Sequence, residues 1–499
     1  MKDIPPDLAS SNPREIALAV LEHFLDRDTD AGQLLHDLLR RGEVHGADAR
    51  LATELTLGVL RQRSHLDALL ETMTHRPWKK TPPTVRNVLR LGAYQLLFLD
   101  RIPAHAAVNE SVALARRWTS AGHAALVNAI LRRLSKSRGE RPETGGGTEV
   151  RAETERAREG RGGDAGSLFS HPSPLTSDPS SWPVFYSHPP WLVQYCLAHF
   201  PAERVAALLE WNNQTPTLML RANRLRVTAE QLAERLIAPG CEAVSPRHPA
   251  LGALHSAIGW PTPESLALTG AIGDVSSANW FAEGLATVQD GAAQLIAHFV
   301  GPQPDERIVD WCAAPGGKST HLAELGDDRA HILALDVAQE RLAQVAVQAE
   351  RLGLQSIKTY LLRPDLMSWL ESHPADAILV DAPCTGLGTI QRHPDIRWRR
   401  KPKDLERSAR LQLEILDAAA RCVAPGGRLV YSTCTLGPVE NEQAIERFLA
   451  RHPQFERADP TEATDPVVRP FLNERGDLHT WPPQDRLDGF YAARLMRNG

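Results

Sequence analysis

Three segments of this chain hold residue types that do covalent chemistry. Leu379-Val380-Asp381-Ala382-Pro383-Cys384-Thr385-Gly386 sets a carboxylate three residues ahead of a cysteine, and Val430-Tyr431-Ser432-Thr433-Cys434 ends a second apolar run in another cysteine. The third, Asp310-Trp311-Cys312-Ala313-Ala314-Pro315-Gly316-Gly317-Lys318, is a turn of small residues with adjacent glycines. A thiolate is a nucleophile, and an acidic group bonded to a reacting ring stabilises developing charge. Small residues and glycines let backbone amides approach a ligand closely. Core cysteines are commoner than catalytic ones, yet Cys384 and Cys434 both stand in polar turns. Residue types alone leave open which of the two would attack.

The elements around these turns must bring them together. Strand-like runs at 307–310, 331–336, 377–381 and 427–432 alternate with helix-length stretches at 319–325, 338–352, 404–423 and 439–450. Short apolar strands alternating with helices predict a mainly parallel, doubly wound sheet, which binds ligands beyond the carboxyl ends of its strands. Each reactive turn follows such a strand. Gly317-Lys318-Ser319 invites a phosphate-loop reading, but Cys312 stands where that motif needs its first glycine, so an ATPase is disfavoured. The dinucleotide fingerprint is also absent, which argues against a dehydrogenase. Asp336 ends the second strand 20 residues after Gly316, a spacing suited to ribose hydroxyls, so an adenosine-type cofactor is expected.

At 499 residues the chain should hold two or three domains. Residues 14–135 carry apolar side chains at helical spacing and predict an all-α bundle. Residues 137–186, with Gly145-Gly146-Gly147 and a Glu/Arg-rich stretch, are short of large apolar groups and read as a disordered linker. A strand near 217–223 and a helix near 228–236 predict a small α+β module whose pairing the pattern does not determine. The boundaries are therefore 1–136, 137–186, 187–285 and 286–499. No apolar run is long enough for a membrane span, and the N-terminus lacks a secretory core. Six scattered cysteines without a Cys-x-x-Cys pair give no disulfide scaffold and no zinc site, so a cytoplasmic chain without metal is expected. Nothing demands a dimer; a monomer is expected. The net charge is −5, yet residues 1–136 carry 19 basic and 15 acidic groups, a weak pointer to a polyanion at that end.

Together, Asp-x-Cys-Ala-Ala-Pro-Gly-Gly-Lys (310–318), Asp-Ala-Pro-Cys (381–384) and Ser-Thr-Cys (432–434), followed by Glu440-Asn441-Glu442, resemble the RNA cytosine-5 methyltransferases. The helical head resembles the NusB-like domain fused to one branch, the Sun/Fmu-type 16S ribosomal RNA methyltransferases. The likeness covers roughly 14–136 and 187–497. It implies a NusB-like RNA-binding head, a small RRM-like module and a Rossmann-like methyltransferase domain using S-adenosyl-L-methionine. It further implies that Cys434 is the nucleophile, Cys384 assists release of the product and Asp381 contacts the base. DNA cytosine methyltransferases use the cysteine of a Pro-Cys turn, which makes Cys384 the rival. The methyl donor would lie against Cys312, Ala313, Ala314, Pro315, Gly316, Gly317, Lys318, Asp336, Arg341, Asp365 and Asp381. Relatives usually carry Gly-Asp after the third strand; here Pro364 precedes Asp365.

A basic run follows the Pro-Cys turn, Gln391-Arg392-His393-Pro394-Asp395-Ile396-Arg397-Trp398-Arg399-Arg400-Lys401. Arg392, His393, Arg397, Trp398, Arg399 and Arg400 are the expected RNA contacts, through phosphates and stacking on the indole. A paired base hides its carbon 6, so an unpaired or flipped cytosine is required. Small-subunit ribosomal RNA is the expected partner. The alternatives are transfer RNA or DNA as substrate, or an RNA-binding assembly or transcription factor with a non-catalytic domain.

Overall fold

A computed structural model describes residues 10–24, 30–74, 77–139, 178–236, 241–244, 261–270, 275, 278–459 and 465–499. The chain divides into two units, residues 1–213 with 393–399, and residues 214–392 with 400–499.

The first unit is helical. Asn12 caps the first helix by accepting from the Arg14 N–H at 2.9 Å, and Pro13 supplies a preset first turn. Helices α1 (Pro13–His23), α2 (Ala31–Arg41), α3 (Gly46–Arg61), α4 (Arg63–Thr72), α5 (Pro83–Phe98), α6 (Ala104–Trp118) and α7 (Ala121–Gly139) follow in order. α5 is buried nearly all round because its neighbours cover every face; Val85, Val88, Leu89, Leu91 and Leu96 all lie inside. Gly92 permits the approach of α7, since a Cβ there would sit 2.3 Å from Leu131 Cδ1. Short helices at Trp182–Phe185, Pro190–His199, Ala202–Trp211 and Ile396–Arg399 complete the unit. The expected disordered linker needs correction at both ends. Residues 137–139 extend α7, and Pro179–Phe185 is helical, with Trp182 and Tyr186 giving it apolar anchors to bury. Residues 140–177 lie outside the described residues.

In the second unit the small sheet pairs β1 (Leu218–Ala222), β2 (Cys241–Val244), β3 (Ser265–Gly270) and β4 (Ala286–Val288) in the order β2-β3-β1-β4, antiparallel throughout. Its fourth strand runs three residues past the boundary expected at 285. Helix Ala229–Leu236 begins with reciprocal bonds between Thr228 and Gln231, and its Leu232 and Leu236 pack on Leu220 and Leu266.

The larger sheet holds, among the described residues, β5 (Arg307–Asp310), β6 (His331–Asp336), β7 (Ile357–Leu361), β8 (Ala375–Asp381), β9 (Val423–Thr433), β10 (Phe455–Arg457), β11 (Leu478–His479) and β12 (Tyr491–Arg497). The order is β10-β12-β9-β8-β5-β6-β7, with β11 on β12; β5 to β9 run parallel, and β12 pairs antiparallel with both β9 and β10. Alternate residues fill opposite faces. Ile308, Ile332, Leu379 and Val430 join one core with helices Gly291–Val300 and Gly317–Leu325. Val309, Leu335, Ile378, Val380 and Tyr431 join the other with helices Pro402–Ala420 and Glu442–Arg451. Two covered faces explain the uninterrupted apolar runs of the sequence. The order reverses at β5, which opens a crevice at the carboxyl ends of β5, β6 and β8. Among the described residues no helix is long and apolar enough to cross a membrane.

A buried polar clasp joins the small sheet to the larger domain. Glu264 bonds His298 Nε2 at 2.7 Å and His321 Nε2 at 2.6 Å, while His298 Nδ1 meets Asp465 at 2.7 Å. Burial works against a charged His298, but its bonds to Asp465 and Glu264 outweigh it and raise the pKa from 6.5 to about 9. His298 thus stabilises the folded state fully below about pH 6.5, and that contribution disappears as pH rises through about 9. His298→Gln is expected to cost roughly 3–5 kcal/mol at pH 7. Thermal melts should show the gap to the native chain narrowing between pH 7 and 10; a gap independent of pH would refute this reading.

Candidate active site

The turn after β5 is shaped by its glycines. Trp311 N–H donates to the Leu379 carbonyl and Ala313 N–H to that of Leu335, each at 2.8 Å, so the turn is tied to both neighbouring strands. Gly316 takes φ +108°, and a Cβ there would lie 3.0 Å from Val345 Cα; both facts require glycine. Helix Gly317–Leu325 starts at once, so Ala314, Pro315, Gly316 and Gly317 lead into its N-terminal amides. Asp310 ends β5 almost fully buried and accepts from Ser319 Oγ at 2.6 Å. Burial, helped by the charge of Asp381, pushes its carboxyl up to about 7. Burial also raises the Cys312 thiol, with the negative charges of Asp310, Asp381 and Asp336 adding to it. Three carboxylates therefore act on one turn.

Asp336, nearly buried at the end of β6, accepts from Ala338 N–H at 3.0 Å and lies 3.5 Å from the Arg341 guanidinium. Arg341 also donates to the Ala314 carbonyl at 3.1 Å, linking the two turns. Asp365 stands exposed in the first turn of helix Pro364–Ser372, after β7. That chain enters beside Asp336, because Leu362 N–H donates to the Asp336 carbonyl at 2.9 Å.

The ends of β8 and β9 bring the other residues together. Asp381 and Ser432 are register partners, and Ser432 Oγ donates to Asp381 at 2.8 Å. Lys318 Nζ reaches the second Asp381 oxygen at 2.6 Å, beneath the Phe490 ring. Burial works to lower the Lys318 pKa, but Asp381, and after it Cys434 and Asp310, raise it above the ordinary value. Cys384 Sγ and Cys434 Sγ lie 3.3 Å apart, both partly accessible. The hydrogen bond to Cys434 and burial hold the Cys384 thiol well above its usual range, so Cys384 stays protonated.

Glu440 and Asn441, which follow the Ser-Thr-Cys turn, receive their task from the fold. Glu440 accepts from Thr385 N–H and Gln412 Nε2, each at 2.9 Å, and from Thr385 Oγ1. Asn441 accepts from Thr433 Oγ1 at 2.6 Å and donates to the Thr435 carbonyl at 3.0 Å. One dipeptide thus clamps both cysteine turns. Gly388 adds a third tie: its N–H donates to the Cys434 carbonyl at 3.0 Å, and its own carbonyl accepts from Gly489 N–H at 2.8 Å.

The basic run is a correction. Arg397 is fully buried, donating to the carbonyls of Ser187 at 3.1 Å and Asn212 at 2.8 Å and to Asn213 Oδ1 at 2.7 Å. Trp398 Nε1 donates to the Leu60 carbonyl at 2.7 Å, and Arg63 stacks on the indole. Arg399 pairs with Asp395 at 2.7 Å. Arg392 bridges Asp290 and Asp488 and donates to the Thr217 carbonyl at 2.8 Å, while Arg400 donates to the Thr385 carbonyl at 2.9 Å. His393, exposed and 3.4 Å from Asp30, is the member most open to solvent. Burial and fixed acceptors tie Arg397 to the structure, and the other members of the run have protein partners of their own.

Residues 297–496 match the family described as 16S rRNA methyltransferase RsmB/F, residues 11–136 the NusB family, and residues 188–254 the ferredoxin-like domain of RsmF/B-like methyltransferases. The chain is 36% identical to the probable ribosomal RNA small subunit methyltransferase B of Synechocystis, across 97% of this chain and 99% of that one. The chain belongs to the RsmB/F methyltransferase family. Similarity to the ribosomal RNA small subunit methyltransferase B of Pectobacterium atrosepticum is 33%, across 98% of this chain and all of the relative. The crystal structure of PH0851 shares the fold over 99% of both chains, with a TM-score of 0.72 at 24% identity. A methyltransferase homolog from Pyrococcus horikoshii covers 64% of this chain and 100% of its own, at 26% identity and a TM-score of 0.52. The protein is therefore a methyltransferase with a NusB-type helical head, a ferredoxin-like module and a Rossmann-like catalytic sheet.

A Cβ at Gly388 would fall 1.9 Å from the Gly489 carbonyl oxygen. Gly388→Ala is expected to cost about 1–3 kcal/mol through this overlap and, by moving the Cys434 carbonyl, to reduce methyl transfer at least about tenfold. Native melting and turnover in that variant would show that the tie is dispensable.

Proposed function

We propose that the chain transfers a methyl group from S-adenosyl-L-methionine to carbon 5 of a cytosine in 16S ribosomal RNA, through a transient bond between Cys434 and carbon 6. The observation that supports this most is the pair of thiols 3.3 Å apart beside a carboxylate fixed by Lys318 and Ser432. The substrate follows from the relatives, which are named as small-subunit ribosomal RNA methyltransferases.

The residues present suit the donor. Its sulfonium and ammonium are cationic, and Asp336 and Asp381 supply negative charge from two strand ends. Asp336 and Arg341 would hold its nucleoside side, the Gly316-Gly317 amides its amino-acid side, and Asp365 would lie at the adenine edge. Bound, the donor supplies an electrophilic methyl and departs as a neutral thioether.

Carbon 5 of cytosine is a poor nucleophile, and the protein's task is to change that. The Cys434 thiolate forms a bond to carbon 6, and the ring electrons move toward carbon 5. Lys318 supplies compensating positive charge near the sulfur. Asp381, oriented through both oxygens, offers remaining lone pairs to the N3/N4 edge of the base and stabilises charge there. Once carbon 5 is methylated, its C–H bond breaks and the proton passes to water. Those electrons form the carbon 5–carbon 6 double bond as the carbon–sulfur bond breaks with its electrons returning to Cys434. Cys384, held as a thiol, stands at hydrogen-bond distance from the departing sulfur and stabilises it.

The two cysteines therefore differ in the expected phenotype. Cys434→Ala should abolish methyl incorporation into ribosomal RNA, a loss above about a thousandfold. Cys384→Ala should slow release, so that an RNA–protein adduct accumulates on denaturing gels. Adduct formation by the Cys434→Ala chain would reassign the nucleophile to Cys384. Unchanged incorporation by that chain would reject the mechanism, and retention of donor binding without turnover on any RNA would favour a purely RNA-binding function.

A further inference from the structure

The small sheet reaches the donor turn through one buried arginine. In β1, Leu220 and Ala222 face the core of the ferredoxin-like module, whereas Met219 packs into the core of the catalytic sheet. Arg221 shares the Met219 side by strand alternation and is fully buried. Every N–H of its guanidinium has an acceptor. Nε donates to Glu324 at 3.2 Å, and Nη2 to Glu324 at 2.8 Å and to Thr320 Oγ1 at 3.0 Å. Nη1 donates to Gln289 and, at 2.7 Å, to the backbone carbonyl of Gly317.

Gly317 opens the helix after the Gly-rich turn, and its carbonyl belongs to the peptide that continues into Lys318. Lys318 in turn holds Asp381, which Ser432 holds from the other side. The bonds thus run from a strand of the small module, through one peptide plane, to the carboxylate between donor and base. Thr320 Oγ1 fixes the Gly316 and Gly317 carbonyls from within the same helix turn, at 2.9 and 3.1 Å. A planar fork is suited to this work because it bonds a carboxylate, a hydroxyl and a carbonyl in one fixed geometry; a lysine ammonium does not.

The structure assigns Arg221 as a positioning residue of the methyl-donor site: the ferredoxin-like module sets the conformation of the Gly316–Lys318 turn, and so the donor affinity, through the Arg221–Gly317 bond. This rests on the donor reading above. It follows by linkage that donor binding tightens the seat of the module, because the coupling is reciprocal.

The test is calorimetric titration of the full-length chain with S-adenosylhomocysteine, with hydrogen exchange at the Gly317 and Lys318 amides. Arg221→Met with Glu324→Leu replaces the buried pair by apolar groups, leaves no lone charge and should melt near the native temperature. Arg221→Lys keeps the charge opposite Glu324 but not the fork, and carries the test if the double variant does not fold. Both variants should bind the analogue about tenfold more weakly and exchange faster at 317–318, with donor KM raised by a larger factor than kcat is lowered. A folded variant with native affinity and native exchange overturns the assignment. A native chain that does not bind the analogue overturns the donor reading and this coupling with it.

Discussion

The parallel pairing of β8 with β9 sets Asp381 opposite Ser432, and the rest of the site depends on that register. β8 stops at this pair and β9 one residue beyond it, and the two turns that follow carry Cys384 and Cys434 to within 3.3 Å. A slip of one residue would turn Val380 and Tyr431 out of their core and carry Asp381 to the other face. Burial on both faces of the sheet therefore enforces the alignment. The same apolar contacts that hold the domain together hold Asp381, Cys384 and Cys434 in line.

Beyond the register, the site is held by polar groups kept away from water. Glu440, itself buried, raised in pKa by that burial and surrounded by donors, joins the Pro-Cys turn to the strand-end turn. Such a carboxylate is stable only where each lone pair has a partner, which makes the clamp rigid. The thiol pair inherits this rigidity. Two thiols fixed side by side need little reorganisation when the charge on one of them changes.

Of the 56 basic residues 48 are arginine, and several of them have a structural use in the folded chain. Arg221 and Arg397 are fully buried, Arg428 is buried and Arg392 partly so; all four bond backbone carbonyls, and Arg221, Arg392 and Arg428 also bond carboxylates. A guanidinium tolerates this because it stays charged and donates in several fixed directions. Charge counted along the sequence therefore overstated the surface available to a polyanion. In the stretch 392–400 all six named residues have protein acceptors or a partner carboxylate.

The amino-acid sequence by itself determined the elements and the chemistry of the turns. Apolar periodicity marked the helical head and the four central parallel strands, and Gly316-Gly317, Asp336, Asp381, Cys384 and Cys434 stood out because each ends or follows a strand. Local pattern suffices there, since strand and turn preferences act over a few residues. Tertiary structure alone decided what long-range partners decide: the order and register of the strands, the separation of the two sulfurs, and the antiparallel small sheet. It also decided which arginines are buried, as Arg221 and Arg397 show, and which carboxylates are shared. Nothing near residue 221 announces that its side chain ends on the Gly317 carbonyl, because that bond spans 96 residues and exists only once two sheets have packed together.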